Sequence, residues 1–186
     1  MHRKKFLSLS SLGLLSISSN GNLPFQKTHQ PMVLSTWDVG MEANKVAWEI
    51  LSTGGNAIDA VEKGVMAIED TINCCVGLGA NPDREGFVTL DAAIMNHQYQ
   101  CGSVAALERI KHPISVARKV MELTPHVMLT GMGAQQFALS QGFNLESEKL
   151  SPEAERSYKE WLKKSEYKPI INIENMGNHF PAPPTQ

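Results

Sequence analysis

The sequence predicts a mixed α/β fold, in which neighbouring strands run antiparallel and helices group around them. Apolar residues recur with a helical period across the stretch 43–68, which favours two amphipathic helices. In the stretch 88–95 they alternate with a period of two, which is typical of a half-buried strand. A turn at 96–98 then returns the chain as an antiparallel partner over residues 99–106.

The first predicted strand spans Met32–Trp37 and opens after Pro31. A helix follows, and Gly54-Gly55 ends it because glycine readily adopts the left-handed conformation at a helix C-terminus. Its apolar stripe, at helical spacing, comprises Ala43, Val46, Ala47, Ile50 and Leu51.

A second helix begins after Asn56, a good N-cap residue, with Asp59 three positions on as a partial capping box. Its predicted core face comprises Ile58, Val61, Val65 and Ile68. A second stripe contains only the small residues Ala57, Ala60 and Gly64, which allow a neighbouring element to approach closely.

Five further elements are expected downstream of the antiparallel pair. Helix-capping residues, hydrophobic periodicity, and glycine or proline at the element ends indicate where they begin and end. They are a helix capped by Ser115, a strand at His126–Thr130, a helix at Gly133–Gln141, a helix from Ser151-Pro152 to Lys164, and a last strand at Ile170–Ile173.

Composition is that of one globular domain, with 42% hydrophobic and 19% charged residues in a chain of 186. Lysine and arginine number 17 against 19 acidic residues, so no basic surface is expected and nucleic acid is not a predicted partner. The histidines and cysteines lack the spacing of metal ligands, and no metal site is predicted.

Residues 1–20 have the layout of a secretory signal peptide. A cationic run, His2–Lys5, precedes the apolar stretch Phe6–Ile17 and the small residues Ser18-Ser19. The apolar stretch is too short for a membrane-spanning helix, so we expect export to the periplasm or the medium and no membrane attachment of the mature protein. The alternative is an uncleaved N-terminal anchor.

The three cysteines are Cys74, Cys75 and Cys101. Adjacent cysteines rarely bridge each other, because the small ring forces an unusual peptide geometry. Either of the first two could pair with Cys101 in an oxidising compartment. We favour the other interpretation, small buried thiols beside a strand.

Four motifs occur in an order and spacing that resemble the N-terminal half of the glycosylasparaginases, a family of N-terminal nucleophile hydrolases. They are Leu34–Trp37, Gly54–Glu62, Val76–Met95 and His112–Thr124. The resemblance covers residues 31–175 and implies the α-part of an αββα four-layer sandwich. Residues 176–186 form a divergent, proline-rich tail.

The resemblance also implies an activity, hydrolysis of the amide bond between N-acetylglucosamine and the asparagine side chain. In that family a precursor cuts itself before a threonine, whose new α-amino group has a pKa of about 7.7–8.0 and acts as base for its own hydroxyl. No metal or organic cofactor is implied. Plant-type asparaginases and isoaspartyl peptidases are relatives, and they provide the alternative substrate class.

The family's threonine follows a His-Asp pair, and His179 matches that histidine. The Asp-Thr expected next is replaced by the tail Phe180–Gln186, so we expect no catalytic residue in this chain and no activity from it alone. The implied partners are a second, β half that carries the nucleophile, a small glycosylated asparagine substrate, and further copies in a homo-oligomer. The competing hypothesis is a truncated remnant without catalytic function.

Two residues match substrate-binding positions of the family. Trp37 corresponds to a tryptophan that packs against the substrate, and its alternative role is that of a core residue at a strand end. Cys75 stands where relatives have serine or another small polar residue near the nucleophile. Because a thiol is a weaker hydrogen-bonding group than a hydroxyl, the match at Cys75 is the poorer one.

Overall fold

The computed structural model describes residues 30–164, and all structural statements concern these residues. The elements below all belong to one compact unit, whose described part begins at Val33. They are α1 (Gly40–Leu51), α2 (Ala57–Glu69), β1 (Thr89–Met95), β2 (Cys101–Glu108), α3 (Pro113–Leu123), β3 (Met128–Thr130), α4 (Gly131–Ser140) and α5 (Pro152–Lys164). The predicted mixed α/β fold is confirmed. The predicted strand at Ile170–Ile173, the signal segment and His179 lie outside the described residues.

The sheet has three strands in the order β1-β2-β3. β1 and β2 are antiparallel, as predicted, with Thr89 opposite Glu108 and Met95 opposite Cys101. β3 runs parallel to β2, and the chain reaches it through helix α3. A parallel neighbour needs such a crossover, whereas the antiparallel pair needs only a tight turn.

The turn between β1 and β2 is built around Asn96. Its side-chain oxygen accepts hydrogen bonds from the backbone N–H of Gln98 at 2.9 Å and of Gln100 at 3.1 Å. Tyr99 takes a left-handed backbone with φ of 63°. An asparagine that accepts from the backbone two residues on is a standard way to reverse a chain, so the hairpin is encoded locally.

Helices α1 and α2 pack against each other and are joined by a short loop. Asn56 caps α2 as predicted, since its side chain accepts from the N–H of Ile58 at 3.1 Å. The small-residue stripe is at the contact, because a Cβ on Gly64 would lie 2.7 Å from the carbonyl oxygen of Ala43. The prediction of Val61 as a core residue is wrong. Its side chain is 48% exposed, because no described element covers that part of the helix.

One face of the sheet carries the core, covered by α3 and α4. The alternation predicted for β1 is confirmed, with Leu90 and Ile94 buried and Thr89 and Met95 exposed. The residues of the main cluster share almost complete burial and come from β1, β2, the following loop, α3 and α4: Ile94, Val104, Leu107, Ile110, Ile114, Val116, Ala117, Val120, Ala134 and Ala138.

The predicted strand at Met32–Trp37 is not formed. The segment is irregular and ends in a turn, in which Gly40 N–H donates to the Trp37 carbonyl at 3.0 Å. A strand needs a partner for its backbone groups, and no described strand pairs with this segment.

Helix α3 begins at Pro113, not after Ser115 as predicted. Proline suits the first turn, where its missing N–H costs nothing. Ser115 is instead buried within that turn. The later helices are close to prediction, and α5 begins after Ser151, whose hydroxyl oxygen accepts from the N–H of Ala154 at 3.1 Å. None of the helices within residues 30–164 is both long and apolar enough to cross a bilayer.

Helix α3 crosses strand β2 at Gly102. A Cβ there would overlap the backbone of Ala117 and Met121, so only glycine allows the helix to lie this close to the strand. The contact therefore fixes how α3 packs on the sheet.

Replacing this glycine tests the packing. We expect Gly102→Ala to lower the free energy of unfolding by about 1–3 kcal/mol, since the added methyl forces the helix away from the strand. The matched control is Gly133→Ala in α4, where a Cβ would meet nothing within 4 Å. The free energy of unfolding of this control should rise by up to about 1 kcal/mol, because alanine has a higher helix propensity than glycine. Equal urea midpoints for the two variants would contradict this account.

Candidate functional site

An open groove of about 360 Å³ lies between the segment before α1 and the C-terminal half of α2. Its lining residues are mostly apolar: Leu34, Ser35, Thr36, Trp37, Val39, Gly40, Val65, Ile68 and Val76. Trp37 is 64% exposed, so it is not a core tryptophan, and its indole is accessible from the groove. A residue that contacts a substrate must be accessible in this way.

The segment that carries Trp37 is held against α1 by short contacts. The Ser35 hydroxyl donates to the side-chain oxygen of Asn44 at 2.6 Å. Gly40 packs directly on Ser35, where a larger residue would overlap the serine side chain. Trp37 therefore occupies a defined place at the start of the helix, although its own side chain is exposed.

The opposite wall depends on a turn centred on Asn73. Its side-chain oxygen accepts from the N–H groups of Cys75 at 2.8 Å and Val76 at 2.7 Å. The side-chain amide of Asn73 donates to the Val76 carbonyl at 3.0 Å. Gly77 follows with φ of 71° and packs on the backbone of Glu69. The turn places Val76 in the groove and Cys75 beside it.

Cys74 and Cys75 form a disulfide with each other, and Cys101 is free and exposed. The predicted pair of buried thiols beside a strand is therefore wrong. Both residues lie exposed on the Asn73 turn, where the tight backbone brings adjacent side chains together. The sulfur of Cys75 carries no hydrogen in this bonded state and cannot donate a hydrogen bond. Its role in substrate binding stays a prediction.

A buried carboxyl group lies next to the groove, at the end of α2. Glu69 is 4% exposed, and its Oε1 accepts from the N–H of Ile114 at 3.1 Å. Its Oε2 is 3.4 Å from His112 Nδ1, and neither of these two atoms has another partner among the described residues. Sequence reasoning missed Glu69, because it closes an otherwise ordinary helix and its partners are far along the chain.

Burial governs the protonation of this pair. Removal from water raises the pKa of Glu69 to about 8, partly opposed by the hydrogen bond from Ile114. Burial also lowers the pKa of His112. Both shifts favour the neutral forms, so a protonated Glu69 next to a neutral imidazole is the arrangement that fits this buried space.

Ion pairs surround the neutral pair on the surface. Lys111 contacts Asp70 at 2.7 Å, and this contact lowers the pKa of Asp70. Arg118 bridges three carboxylates, those of Asp59, Glu62 and Glu122, each within 2.7 Å. Asp59 thus joins α2 to α3 through Arg118, which is a different role from the capping interaction predicted for it.

No group of three potential metal ligands occurs within residues 30–164. The groups that the groove presents are the exposed indole of Trp37, the hydroxyls of Ser35 and Thr36, and apolar side chains. These groups can bind and orient a substrate.

The sequence profile of the family described as Asparaginase matches residues 14–184. The chain is 61% identical over 149 residues to an N(4)-(Beta-N-acetylglucosaminyl)-L-asparaginase of Elizabethkingia miricola, covering 80% of this chain and 44% of that protein. It is 44% identical to a protein of the same name in Rattus norvegicus, covering 73% of this chain and 39% of the relative. An isoaspartyl peptidase/L-asparaginase of Homo sapiens is 41% identical, over 69% of this chain and 40% of its own length. The chain thus spans less than half the length of these relatives.

The buried Glu69 makes stability depend on pH. Its pKa is raised in the folded state from 4.5 to about 8, so the folded chain holds an extra proton between these values. The resulting stability is complete at low pH and is lost as the pH rises through about 8. Between about pH 7 and pH 8, where His112 is already neutral, the free energy of unfolding of wild type should fall by about 1 kcal/mol, and the fall should level off above pH 8, where Glu69 ionises in the folded state as well.

In the Glu69→Gln variant the side chain cannot ionise but still offers an acceptor to the Ile114 N–H. The free energy of unfolding of this variant should therefore change less with pH than that of wild type over the same range. Glu49→Gln, on the exposed surface of α1, is the matched control and should follow wild type. Urea melts across the pH series measure the difference. Parallel curves for wild type and Glu69→Gln would exclude a neutral buried carboxyl.

Proposed function

The chain belongs to the asparaginase family, and from this premise we propose that it supplies the first half of an amidohydrolase. The proposed reaction is hydrolysis of the amide bond between N-acetylglucosamine and the asparagine side chain. The observation that carries the proposal is the exposed Trp37 in a preformed groove. The identity of 61% to a protein named for this activity supports it, against 41% for the isoaspartyl peptidase/L-asparaginase.

In the proposed reaction, the nucleophile is an N-terminal threonine contributed by a second half of the protein. Its α-amino group takes the hydroxyl proton, and the oxygen attacks the side-chain carbonyl of the substrate. The C–N bond breaks, the glycosylamine leaves with a proton, and water then hydrolyses the ester to release aspartate. Trp37 positions the substrate by presenting a large apolar face to it.

The exposed face of the sheet is an argument for a second half of the protein that packs on it. Ala93, Ser103 and Met128 are paired across the three strands and therefore share one face. Met95 and Met128 are 60% and 51% exposed. We propose that a sheet of the second half packs on this face, which would complete a four-layer sandwich with helices outside two sheets.

Hydrolysis of isoaspartyl peptides or of free asparagine is the second candidate. The 41% identity to the human protein named for those activities favours it. The two candidate reactions differ in whether the leaving group is a sugar amine. Comparing the rates with a glycosylated asparagine and with an isoaspartyl dipeptide therefore distinguishes them.

Export is a further proposal. The cationic, apolar and small-residue order of residues 1–20 predicts removal of this segment, with a mature N-terminus between residues 18 and 30. Mass spectrometry of the protein from its native host measures this directly. Leu14→Arg, which interrupts the apolar stretch, should retain the full N-terminus. A mature wild-type protein that still carries residues 1–17 would contradict export by cleavage.

Trp37→Ala tests the groove in a reconstituted enzyme. The chain would be combined with the second half of the Elizabethkingia miricola relative, beginning at its threonine. Misplacement of a substrate by about 1 Å can cost about 10²-fold in rate, so we expect a loss of that order in kcat/KM for an aspartylglucosamine substrate. Trp48→Ala is the matched control, because Trp48 is 48% exposed on α1 and lines no part of the groove.

Two results would count against the proposal. Equal kinetics for Trp37→Ala and wild type would remove Trp37 from the binding site. Preference of the reconstituted enzyme for an isoaspartyl dipeptide over the glycosylated substrate would favour the second candidate.

A further inference from the structure

A second cavity, of about 430 Å³, lies between the loop at 81–84 and helix α5. It shares no lining residue with the Trp37 groove. Its helix wall consists of Ser157, Tyr158 and Trp161. The volume is within the range of about 300–1,000 Å³ that small-molecule sites occupy.

The loop wall is held in place by its own hydrogen bonds. One carboxylate oxygen of Asp83 accepts from the N–H groups of Glu85 at 3.0 Å and Phe87 at 2.9 Å. The Asp83 N–H donates to the Phe87 carbonyl at 2.7 Å. Gly86 has φ of 96°, and a Cβ there would lie 3.3 Å from the Tyr158 hydroxyl. The loop therefore fits closely against the helix.

The helix wall is equally fixed. The Tyr158 hydroxyl donates to the carbonyl of Arg84 at 3.0 Å and ties the two walls together. The rings of Tyr158 and Trp161 are nearly parallel, with an interplanar angle of 12° and centroids 6.3 Å apart. Trp161 remains 42% exposed, so an indole surface of fixed orientation is open to the cavity.

Polar groups with spare hydrogen-bonding capacity surround this surface. The side chains of Asn81 and Ser157 and the second carboxylate oxygen of Asp83 make no hydrogen bond to any residue within 30–164. An entirely apolar ligand would leave these groups unpaired, which is costly. The cavity therefore suits a ligand with one apolar face and a polar edge.

We infer that this cavity binds a pyranose sugar, with the C–H face of the ring stacked on Trp161 and its hydroxyls bonded to Asn81, Asp83 and Ser157. Aromatic rings offer a flat apolar surface, and the amide, carboxylate and hydroxyl supply donors and acceptors at its edge. A cationic ligand would use the indole and the carboxylate but would leave the Asn81 amide and the Ser157 hydroxyl without a partner, whereas the hydroxyls of a sugar can pair with all three. This binding site goes beyond the proposed hydrolysis and does not depend on it.

The test is ligand-observed NMR on the full chain, with N-acetylglucosamine and its β1,4-linked dimer as probes. Saturation transfer to both sugars is expected. Trp161→Ala should weaken binding at least about tenfold, equivalent to about 1.4 kcal/mol, whereas Trp161→Phe should stay within about threefold because it keeps an aromatic face. Trp48→Ala is the matched control for loss of an exposed indole and should bind as wild type does.

Three results with the sugars would overturn the inference. They are no transfer to either sugar, undiminished binding by Trp161→Ala, and loss of binding in Trp37→Ala, which would place the sugar in the groove. Choline serves as the cationic probe, and preferential binding of choline would also overturn it. None of these readouts involves hydrolysis, so failure here and failure of the proposed reaction are distinguishable.

Discussion

The position of the helix pair relative to the sheet depends on a buried hydrogen bond, from the Ile114 N–H to the Glu69 carboxyl. It joins the last turn of α2 to the first turn of α3, and α3 in turn lies on the sheet at Gly102. The backbone of the same glutamate supports the Gly77 loop, which forms part of the groove wall. The helix pair, the sheet and the groove therefore meet at this junction, which the Arg118 ion pairs reinforce on the surface. The buried carboxyl needs its partner there because the space is closed to water.

The elements that the sequence predicted correctly are those with local causes. Asn56 caps α2 through a backbone group two residues away, and Asn96 builds the hairpin turn within five residues. The elements that it missed have distant causes. The cap of α3 comes from Glu69, which is 45 positions earlier, so no local signal could place the start of that helix. The segment Met32–Trp37 has the composition of a strand, but no described strand pairs with it.

The same division applies to the candidate site. The resemblance identified Trp37, but the groove beside it also needs Val65 and Ile68 of α2. The segment before α1 meets these residues because α1 approaches α2 closely at Gly64. The pairing of Cys74 with Cys75 was not predicted, because a general rule against bridges between neighbours was applied to a turn whose geometry Asn73 sets. The cavity beside Trp161 forms only when α5 meets a loop that is more than 70 residues away in sequence, as the bond from Tyr158 to Arg84 shows.

The bridge between neighbouring cysteines has an unusual chemical consequence. A disulfide stabilises a fold chiefly by restricting the unfolded chain, and the restriction grows with the length of the enclosed loop. Here no residue lies between the two cysteines, so the bridge contributes little to global stability. It does remove two of the three thiols of the chain, which leaves Cys101, exposed at the start of β2, as the one alkylation site. A maleimide or iodoacetamide probe would therefore label this protein at a single known position, the first residue of its central strand.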